Sequence, residues 1–117
     1  MTVALRANGI DHLGLRVADL KRSTRFYVEV LGMELIQERP RMSFLRCGSN
    51  MLSLSQARNG EPVRAGEGMD HLAIRLEAGD YATVKESLER AGYKVSGRPG
   101  DIYFADPDGY LLQILTP

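Results

Sequence analysis

The sequence predicts an α+β protein built from two tandem βαβββ modules, and three observations lead to this prediction. Residues 10–17, Ile-Asp-His-Leu-Gly-Leu-Arg-Val, return at 69–76 as Met-Asp-His-Leu-Ala-Ile-Arg-Leu, with four of the eight positions identical. Two further glycines, Gly32 and Gly92, keep nearly the same offset, 60 residues. Each half also contains one helical stretch followed by short strand-like runs. Because there are only two units, a tandem duplication is favoured over a solenoid.

The first module is predicted over residues 8–56. After the strand at 10–17, Asp19 is the expected cap of a helix that runs to about Leu31. Gly32 should end this helix, because glycine readily takes the left-handed conformation of a C-cap. Three strands follow, at 33–39, 41–46 and 50–56.

A linker at 57–68 separates the modules, since it contains three glycines, one proline and no hydrophobic period. The second module, 69–117, is predicted to repeat the order of the first, and both modules to form one domain over residues 1–117. Its expected elements are a strand at 70–77, a helix from Tyr81 to Arg90 capped by Asp80, and strands from Tyr93, at 101–105 and at 110–115. The turn Asp106-Pro107-Asp108-Gly109 joins the last two strands.

Alternation along the strands separates polar from apolar side chains. In the first repeat His12, Gly14 and Arg16 share the face opposite the leucines and valine, and in the second His71, Ala73 and Arg75 do so. The last strand of each module adds one polar residue between apolar neighbours, Ser53 and Gln113 respectively. We expect the functional site to lie where the polar faces of the two modules meet.

Composition favours partners that are small molecules. The 15 basic and 15 acidic residues cancel, so no net charge attracts nucleic acid or an anionic membrane. No apolar stretch reaches the length of a membrane helix, about 20 residues, or resembles a signal peptide. A single cysteine, Cys47, cannot form an internal disulfide and suits a reducing compartment. We therefore expect a cytoplasmic protein without nucleic-acid or membrane partners.

Four motifs in order resemble those of the vicinal oxygen chelate superfamily, also called the glyoxalase, bleomycin resistance and dioxygenase superfamily. They are Asp11-His12-Leu13, Phe26-Tyr27 followed by Leu31-Gly32-Met33, Asp70-His71-Leu72, and Tyr103-Phe104 followed by Asp106-Pro107-Asp108-Gly109-Tyr110-Leu111-Leu112-Gln113. The resemblance extends from Gly9 to Thr116. It implies that each module curls into a half-barrel sheet with its helix outside, and that a divalent metal ion lies in a cleft between paired modules.

The resemblance also assigns site residues. His12, His71 and Gln113 are the implied metal ligands, while Ser53 lines the cleft at the fourth position. Arg16, Arg75, Ser53 and Tyr103 are candidate substrate-binding residues, and the two arginines suit a carboxylate or phosphate group. The usual ligand at position 113 in the family is a glutamate. Gln113 supplies only a neutral oxygen, so a metal ion here keeps more of its charge.

Two functions of different classes remain open, and so does whether the protein is an enzyme. The first is a metal-dependent enzyme that uses lyase, isomerase or dioxygenase chemistry on a small oxygen-bearing, anionic substrate. The second is a metal-free protein that sequesters a small molecule, as bleomycin-resistance proteins do. Neither Ser53 nor Gln113 can abstract a proton as a ligand glutamate can, and fosfomycin-resistance transferases resemble the pattern but carry threonine where Gly14 stands.

The family resemblance also implies a homodimer with shared clefts. In that arrangement one chain contributes His12 and its partner contributes His71 and Gln113. The linker at 57–68 is long enough to let the modules of one chain lie side by side and close on a second chain. Exposed edges of the predicted sheets would favour such pairing.

Overall fold

The computed structural model describes residues 3–117, which contain two four-stranded sheets and two helical segments. The chain divides into two compact units between Gly60 and Glu61. Each unit has one sheet and one helical segment in the order βαβββ. The predicted α+β class with two tandem modules is therefore confirmed, whereas the single domain over 1–117 stays a prediction.

The first unit contains β1 (His12–Val17), α1 (Leu20–Arg25), which continues into a π-helical turn (Phe26–Val30), β2 (Glu34–Arg39), β3 (Met42–Cys47) and β4 (Asn50–Gln56). The strand order is β1-β4-β3-β2. The pair β1 and β4 is parallel and the other two pairs are antiparallel. The first and last strands of the module are therefore neighbours, which brings residues distant in sequence onto one surface.

The core of the first unit lies between its sheet and α1. Alternate residues of β1, β3 and β4 point into it, and the helical segment adds two aromatic rings whose centroids are 5.0 Å apart. The buried apolar residues are Leu15, Val17, Leu20, Phe26, Tyr27, Met33, Leu45, Leu52, Leu54 and Ala57. One buried hydrogen bond, 2.9 Å between the hydroxyls of Thr24 and Ser43, joins the helix to β3. Both hydroxyls are thus satisfied inside an apolar core.

The second unit contains β5 (Leu72–Arg75), α2 (Tyr81–Arg90), β6 (Ser96–Arg98), β7 (Asp101–Ala105) and β8 (Leu111–Leu115). Its strand order, β5-β8-β7-β6, repeats that of the first sheet, again with a parallel pair at one end. The core collects the apolar residues Ile74, Leu88, Ile102, Phe104, Tyr110, Leu112 and Ile114. None of the helices in the described residues is long and apolar enough to cross a membrane.

Both helices begin where the sequence predicts. The carboxylate of Asp19 accepts a hydrogen bond from the backbone N–H of Arg22 at 3.1 Å, and that of Asp80 accepts one from Thr83 at 2.8 Å. Such caps satisfy backbone donors that have no partner within the helix. The backbone hydrogen bond from Thr83 also lowers the pKa of Asp80 below its usual value, because it stabilises the charged carboxylate.

The repeated strands begin later than the sequence predicts. The first was expected at Ile10, but that residue is 83% exposed and pairing starts at His12 opposite Met51. The reason is that the partner strand β4 starts only at Asn50. Likewise β5 starts at Leu72, opposite Leu112, because β8 begins at Leu111. The second histidine therefore lies one residue before its strand.

Two other boundaries also differ from the prediction. The first helix was expected to remain α-helical to Leu31, but its last turn widens, and the Leu31 N–H bonds to the carbonyl of Phe26. The widened turn matches the burial of both Phe26 and Tyr27, which a regular α-helix places 100° apart. The strand expected from Tyr93 starts at Ser96, because the Tyr93 N–H bonds to the end of α2 at Leu88.

Candidate functional site

Each sheet has one face that packs into its own core and an opposite face that carries a histidine, here called the histidine face. On the first sheet, β1 and β4 line it with His12, Gly14, Arg16, Met51, Ser53 and Ser55. In the second module the equivalent residues of the parallel ladder are Ala73, Arg75, Gln113 and Leu115, with His71 just before β5 and Leu111 at the start of β8. The strand alternation inferred from the sequence therefore agrees with the observed register.

Each histidine is held by the aspartate that precedes it. The Nδ1 atom of His12 lies 2.8 Å from the carboxylate of Asp11, and that of His71 lies 2.7 Å from Asp70. A carboxylate only accepts hydrogen bonds, so the neutral imidazole must carry its proton on Nδ1. The lone pair is then on Nε2, which is the arrangement found in imidazoles that bind metal ions. The side chains remain 54% and 38% exposed, so both can be reached by a ligand.

Gln113 is oriented by a carboxylate on the neighbouring strand. Its Nε2 donates a hydrogen bond of 2.6 Å to Oδ1 of Asp101. The two residues lie on β8 and β7, and both are half-buried. Tyr103, two residues after Asp101 on the same face, stands directly opposite Gln113. The centre of the second histidine face is therefore a cluster of an amide, a carboxylate and a phenol.

His71 joins this cluster through its ring. The centroids of the His71 and Tyr103 rings are 6.3 Å apart, in an edge-to-face arrangement. Since Tyr103 stands opposite Gln113, the contact places His71 on the same face as the amide. Three of the residues predicted for the site therefore lie on one surface of the second sheet.

The turn between β7 and β8 sets the register of this cluster. Oδ1 of Asp106 accepts hydrogen bonds from the backbone N–H groups of Asp108, at 2.9 Å, and Tyr110, at 3.0 Å. Gly109 has φ of 94°, which a residue with a side chain rarely adopts. These contacts stabilise the turn and thereby help to hold Tyr103 and Gln113 opposite each other.

In the first sheet Ser53 takes the place that Gln113 takes in the second. It is 6% exposed and stands opposite Gly14 in the parallel ladder. A Cβ atom at position 14 would lie 3.2 Å from the hydroxyl of Ser53, so glycine leaves room for that hydroxyl. Ser53 therefore lines the first histidine face, but a neutral hydroxyl is a weak metal donor.

The two arginines occupy equivalent positions on the histidine faces. Arg16 pairs in register with Ser55, and Arg75 with Leu115. Both residues are exposed. Each arginine thus lies four residues after the histidine of its own module and on the same face.

The nitrogen and oxygen donor atoms are of types that bind divalent metal ions, but none of them carries the negative charge that would balance such an ion. Each module offers one imidazole with its Nε2 lone pair directed away from the aspartate, and the second adds an amide oxygen. Among residues 3–117, no three His, Cys, Asp or Glu side chains gather closely enough to hold a metal ion. The candidate ligands His12, His71 and Gln113 are all neutral donors, so the ion would keep its full charge for another ligand.

Sequence reasoning missed the residues that hold these donors. In the sequence, Asp11 and Asp70 stand out only as part of the repeated motif, and Asp101 only as a residue of a predicted strand. A signal for Asp101 was present, because it lies two residues before Tyr103 and so shares its face. What the sequence lacked was the pairing of β7 with β8, which brings Asp101 within reach of Gln113.

The comparisons with known proteins agree with this fold and these motifs. The sequence profile of the Glyoxalase/Bleomycin resistance protein/Dioxygenase superfamily matches residues 9–114. The chain belongs to this superfamily. It is 31% identical to the glutathione transferase FosA of Serratia marcescens, over 90% of this chain and 78% of FosA. It is 28% identical to a probable lactoylglutathione lyase of Vibrio cholerae, over 91% of this chain and 88% of that protein.

Solved structures of the superfamily share its fold. The fosfomycin resistance protein FosX of Listeria monocytogenes, solved with Mn(II) and a sulfate ion, superposes with a TM-score of 0.75. The match covers 95% of this chain and 91% of that chain at 21% identity. At this identity the likeness concerns the fold alone. The family predicted from the Asp-His and Asp-Pro-Asp-Gly motifs is therefore confirmed.

Proposed function

We propose that the protein binds a divalent metal ion and a small oxygen-bearing, anionic substrate, and that it catalyses a group-transfer or lyase-type reaction on that substrate. One observation carries the proposal. In both modules the histidine of the repeated Asp-His motif has its Nδ1 bonded to a carboxylate, which leaves Nε2 as a donor. Membership of a superfamily that includes thiol transferases and lyases supports it.

The proposed ligands are His12, His71 and Gln113. When bound, the metal ion would act as a Lewis acid and stabilise negative charge that develops on a substrate oxygen. The three protein donors are neutral, so the charge of a divalent ion is left to be balanced by the substrate. This preference for an anion agrees with the guanidinium groups of Arg16 and Arg75 on the same faces, which suit carboxylate or phosphate oxygens.

The residues also favour one type of reaction over another. A reaction that begins with proton abstraction needs a base, and neither Ser53 nor Gln113 is one. In a group transfer, a nucleophile displaces an oxygen of the substrate, and the bound metal ion would stabilise the negative charge on that oxygen. Such a reaction does not require Ser53 or Gln113 to act as a base. We therefore propose group transfer before isomerisation. Tyr103, beside His71, would contact the substrate through its hydroxyl.

The second candidate is a metal-free protein that sequesters a small molecule. It is favoured by the amide at position 113, where the family's usual ligand is a carboxylate. In this case the two arginines and Tyr103 would bind the ligand directly. The histidines would then contribute only hydrogen bonds.

Metal analysis separates the two candidates. Protein purified without a histidine tag is analysed for bound metal, and its melting temperature is measured with nickel, manganese, iron(II) and zinc. The metal-dependent function predicts a saturable rise of the melting temperature that is lost in His71→Ala, because a ligand that binds only the folded protein stabilises it. A melting temperature unaffected by all four metals would reject the metal-dependent function in favour of sequestration.

The proposal includes the assembly and location expected from the sequence. The active form would be a homodimer in which one chain supplies His12 and its partner supplies His71 and Gln113. We also propose a cytoplasmic location, with no nucleic-acid or membrane partner. The dimer can be tested with mixed variants, as described in the Discussion.

A further inference from the structure

We propose that Asp101 is a positioning residue, which turns the amide of Gln113 so that its carbonyl oxygen is presented as a ligand atom. The inference rests on the proposed function, in which Gln113 contributes to a metal site. It starts from the hydrogen bond of 2.6 Å between Nε2 of Gln113 and Oδ1 of Asp101.

An amide side chain has two ends of opposite character. The NH₂ group donates two hydrogen bonds and the carbonyl oxygen accepts them, so a free glutamine can present either end to a ligand. A carboxylate has no hydrogen to donate. Asp101 therefore accepts only the NH₂ end, and the oxygen of Gln113 must point away from it. A cation requires this orientation, because the NH₂ end would repel it.

The surroundings hold both partners in place. Tyr103 and Gln113 are register partners, and Asp101 lies on the same face two residues before Tyr103. Asp101 is also the backbone register partner of Arg98, in the antiparallel pairing of β6 with β7. Gly97 makes this hairpin possible, because a Cβ atom there would overlap the backbone carbonyl of Asp101. The position of the carboxylate is thus set by backbone pairing and not only by its own side-chain rotamer.

The pair also gives a reason for glutamine at position 113. A glutamate there would bring a second carboxylate within hydrogen-bonding distance of Asp101, and two like charges at that separation repel. Glutamine replaces the repulsion with a hydrogen bond and still offers an oxygen. The amide and the aspartate are therefore best understood as one unit.

The inference is tested by comparing Asp101→Ala with Asp101→Asn. Asparagine keeps an acceptor oxygen but loses the charge, whereas alanine loses both. Calorimetric titration with Mn²⁺ alone should show affinity reduced about 10-fold or more in Asp101→Ala, the usual cost of removing a partner that orients a metal ligand. Asp101→Asn should keep most of the affinity. Should the alanine variant not fold, Asp101→Val, which suits a strand, takes its place.

A control and a measurement without metal complete the test. Glu77→Ala removes an exposed carboxylate of the same module and should leave Mn²⁺ affinity unchanged. In the metal-free protein, NMR should show distinct Nε2 hydrogens of Gln113 in the wild type and Asp101→Asn. In Asp101→Ala they should move to the shifts of an exposed glutamine.

The outcomes separate the inference from the proposed function. Equal losses in Asp101→Asn and Asp101→Ala, or an equal loss in Glu77→Ala, would show that charge acts and positioning does not. Wild-type affinity in Asp101→Ala would also overturn the inference while leaving the metal site intact. If the wild type binds no Mn²⁺ or other divalent metal, the proposed function fails and the inference fails with it.

Discussion

Three candidate ligand side chains share one local arrangement, in which a neutral donor is hydrogen-bonded to a carboxylate. Asp11 and Asp70 hold the histidines, at 2.8 and 2.7 Å, and Asp101 holds Gln113, at 2.6 Å. The carboxylates fix the tautomer of each imidazole and the orientation of the amide. They also place negative charge beyond the donor group, further from a cation than a ligand carboxylate would be. The donor atoms themselves remain neutral, so the charge of a bound cation is left for another ligand to balance.

This arrangement predicts how charge at position 113 affects metal binding. Gln113→Glu should tighten Mn²⁺ binding, because a unit charge about 4 Å from another contributes about 1 to 4 kcal/mol at effective dielectric constants from 80 down to 20. The gain should be larger in Asp101→Asn/Gln113→Glu, where asparagine can donate to the new carboxylate. Calorimetry on the wild type, both single variants and the double variant measures the coupling. Equal or weaker binding in Gln113→Glu on both backgrounds would contradict a metal site at this residue.

The sequence was sufficient to identify His12, His71, Ser53 and Gln113 as residues of two equivalent faces, because a strand alternates its side chains with a period of two. It was not sufficient to identify the contact of Asp101 with Gln113. That contact depends on which residues of β7 and β8 face each other, and strand periodicity does not determine pairing. The exposure of the two histidines was likewise outside the reach of a sequence pattern.

At the scale of elements, the β6–β7 hairpin depends on one close backbone approach. Gly97 has φ of 114°, and an added Cβ would overlap the carbonyl oxygen of Asp101. Gly100 in the same hairpin has φ of 88°, but no atom lies within 4 Å of its would-be Cβ. Comparing a substitution at Gly97 with one at Gly100 therefore separates the loss of stability due to backbone conformation from the loss due to a steric clash.

We predict that Gly97→Ala destabilises the protein more than Gly100→Ala does. A side chain in the left-handed region costs about 1 to 2 kcal/mol, and this applies to both variants. Only Gly97→Ala adds a clash with backbone, which cannot turn aside as a flexible side chain can. Urea denaturation monitored by circular dichroism gives both free energies of unfolding. Equal losses would show that β6 does not approach Asp101 as closely as described.

The order of the elements could be predicted from the duplicated Asp-His motif and glycines, whereas several of the residues at which elements begin or end could not. Asp19, Asp80 and Gly32 act locally, and each was correctly predicted as a helix boundary. The start of β1 depends on where its distant partner β4 begins, and the π-helical turn contains two adjacent aromatic rings that are both buried in the core. Both are tertiary effects that override local propensity. These two boundaries therefore differ from the prediction because tertiary packing sets them.

At the scale of the whole molecule, the edges of the two sheets differ in how they are protected. The edge strand β2 carries a bulge between Leu35 and Gln37 and several charges, and β6 is only three residues long. Bulges, charges and shortness discourage pairing with another chain. The opposite edges, β1 and β5 in the described residues, pair with β4 and β8 in regular register and carry no bulge. In this described part of the chain, strands β1 and β5 thus lack the features that protect the edges at β2 and β6.

Several apolar side chains are exposed on the described surface. Ile10, just before β1, is 83% exposed, and Leu111 on the second histidine face is 38% exposed. Leu35 and Ile36 on β2 are exposed to similar extents, 39% and 41%. Association that covers such residues removes apolar surface from water and is favourable by about 25 cal/mol per Å² before the costs of association.

The last prediction is that the protein is a homodimer with shared clefts. Two variants that each lose Mn²⁺ binding should then regain part of it when they are mixed. In a dimer with a two-fold axis, the first module of each chain faces the second module of its partner, so two identical clefts form. His12→Ala and His71→Ala homodimers each lack one histidine in both clefts. After chain exchange, a mixed dimer has one cleft with both histidines and one with neither. Mn²⁺ binding should therefore return in up to half of the clefts of each mixed dimer, whereas clefts formed within one chain would recover nothing.

Exchange is verified by mass spectrometry of differently labelled chains, and sedimentation gives the assembly state. A monomer at micromolar concentration, or full exchange without recovery, would contradict the shared cleft.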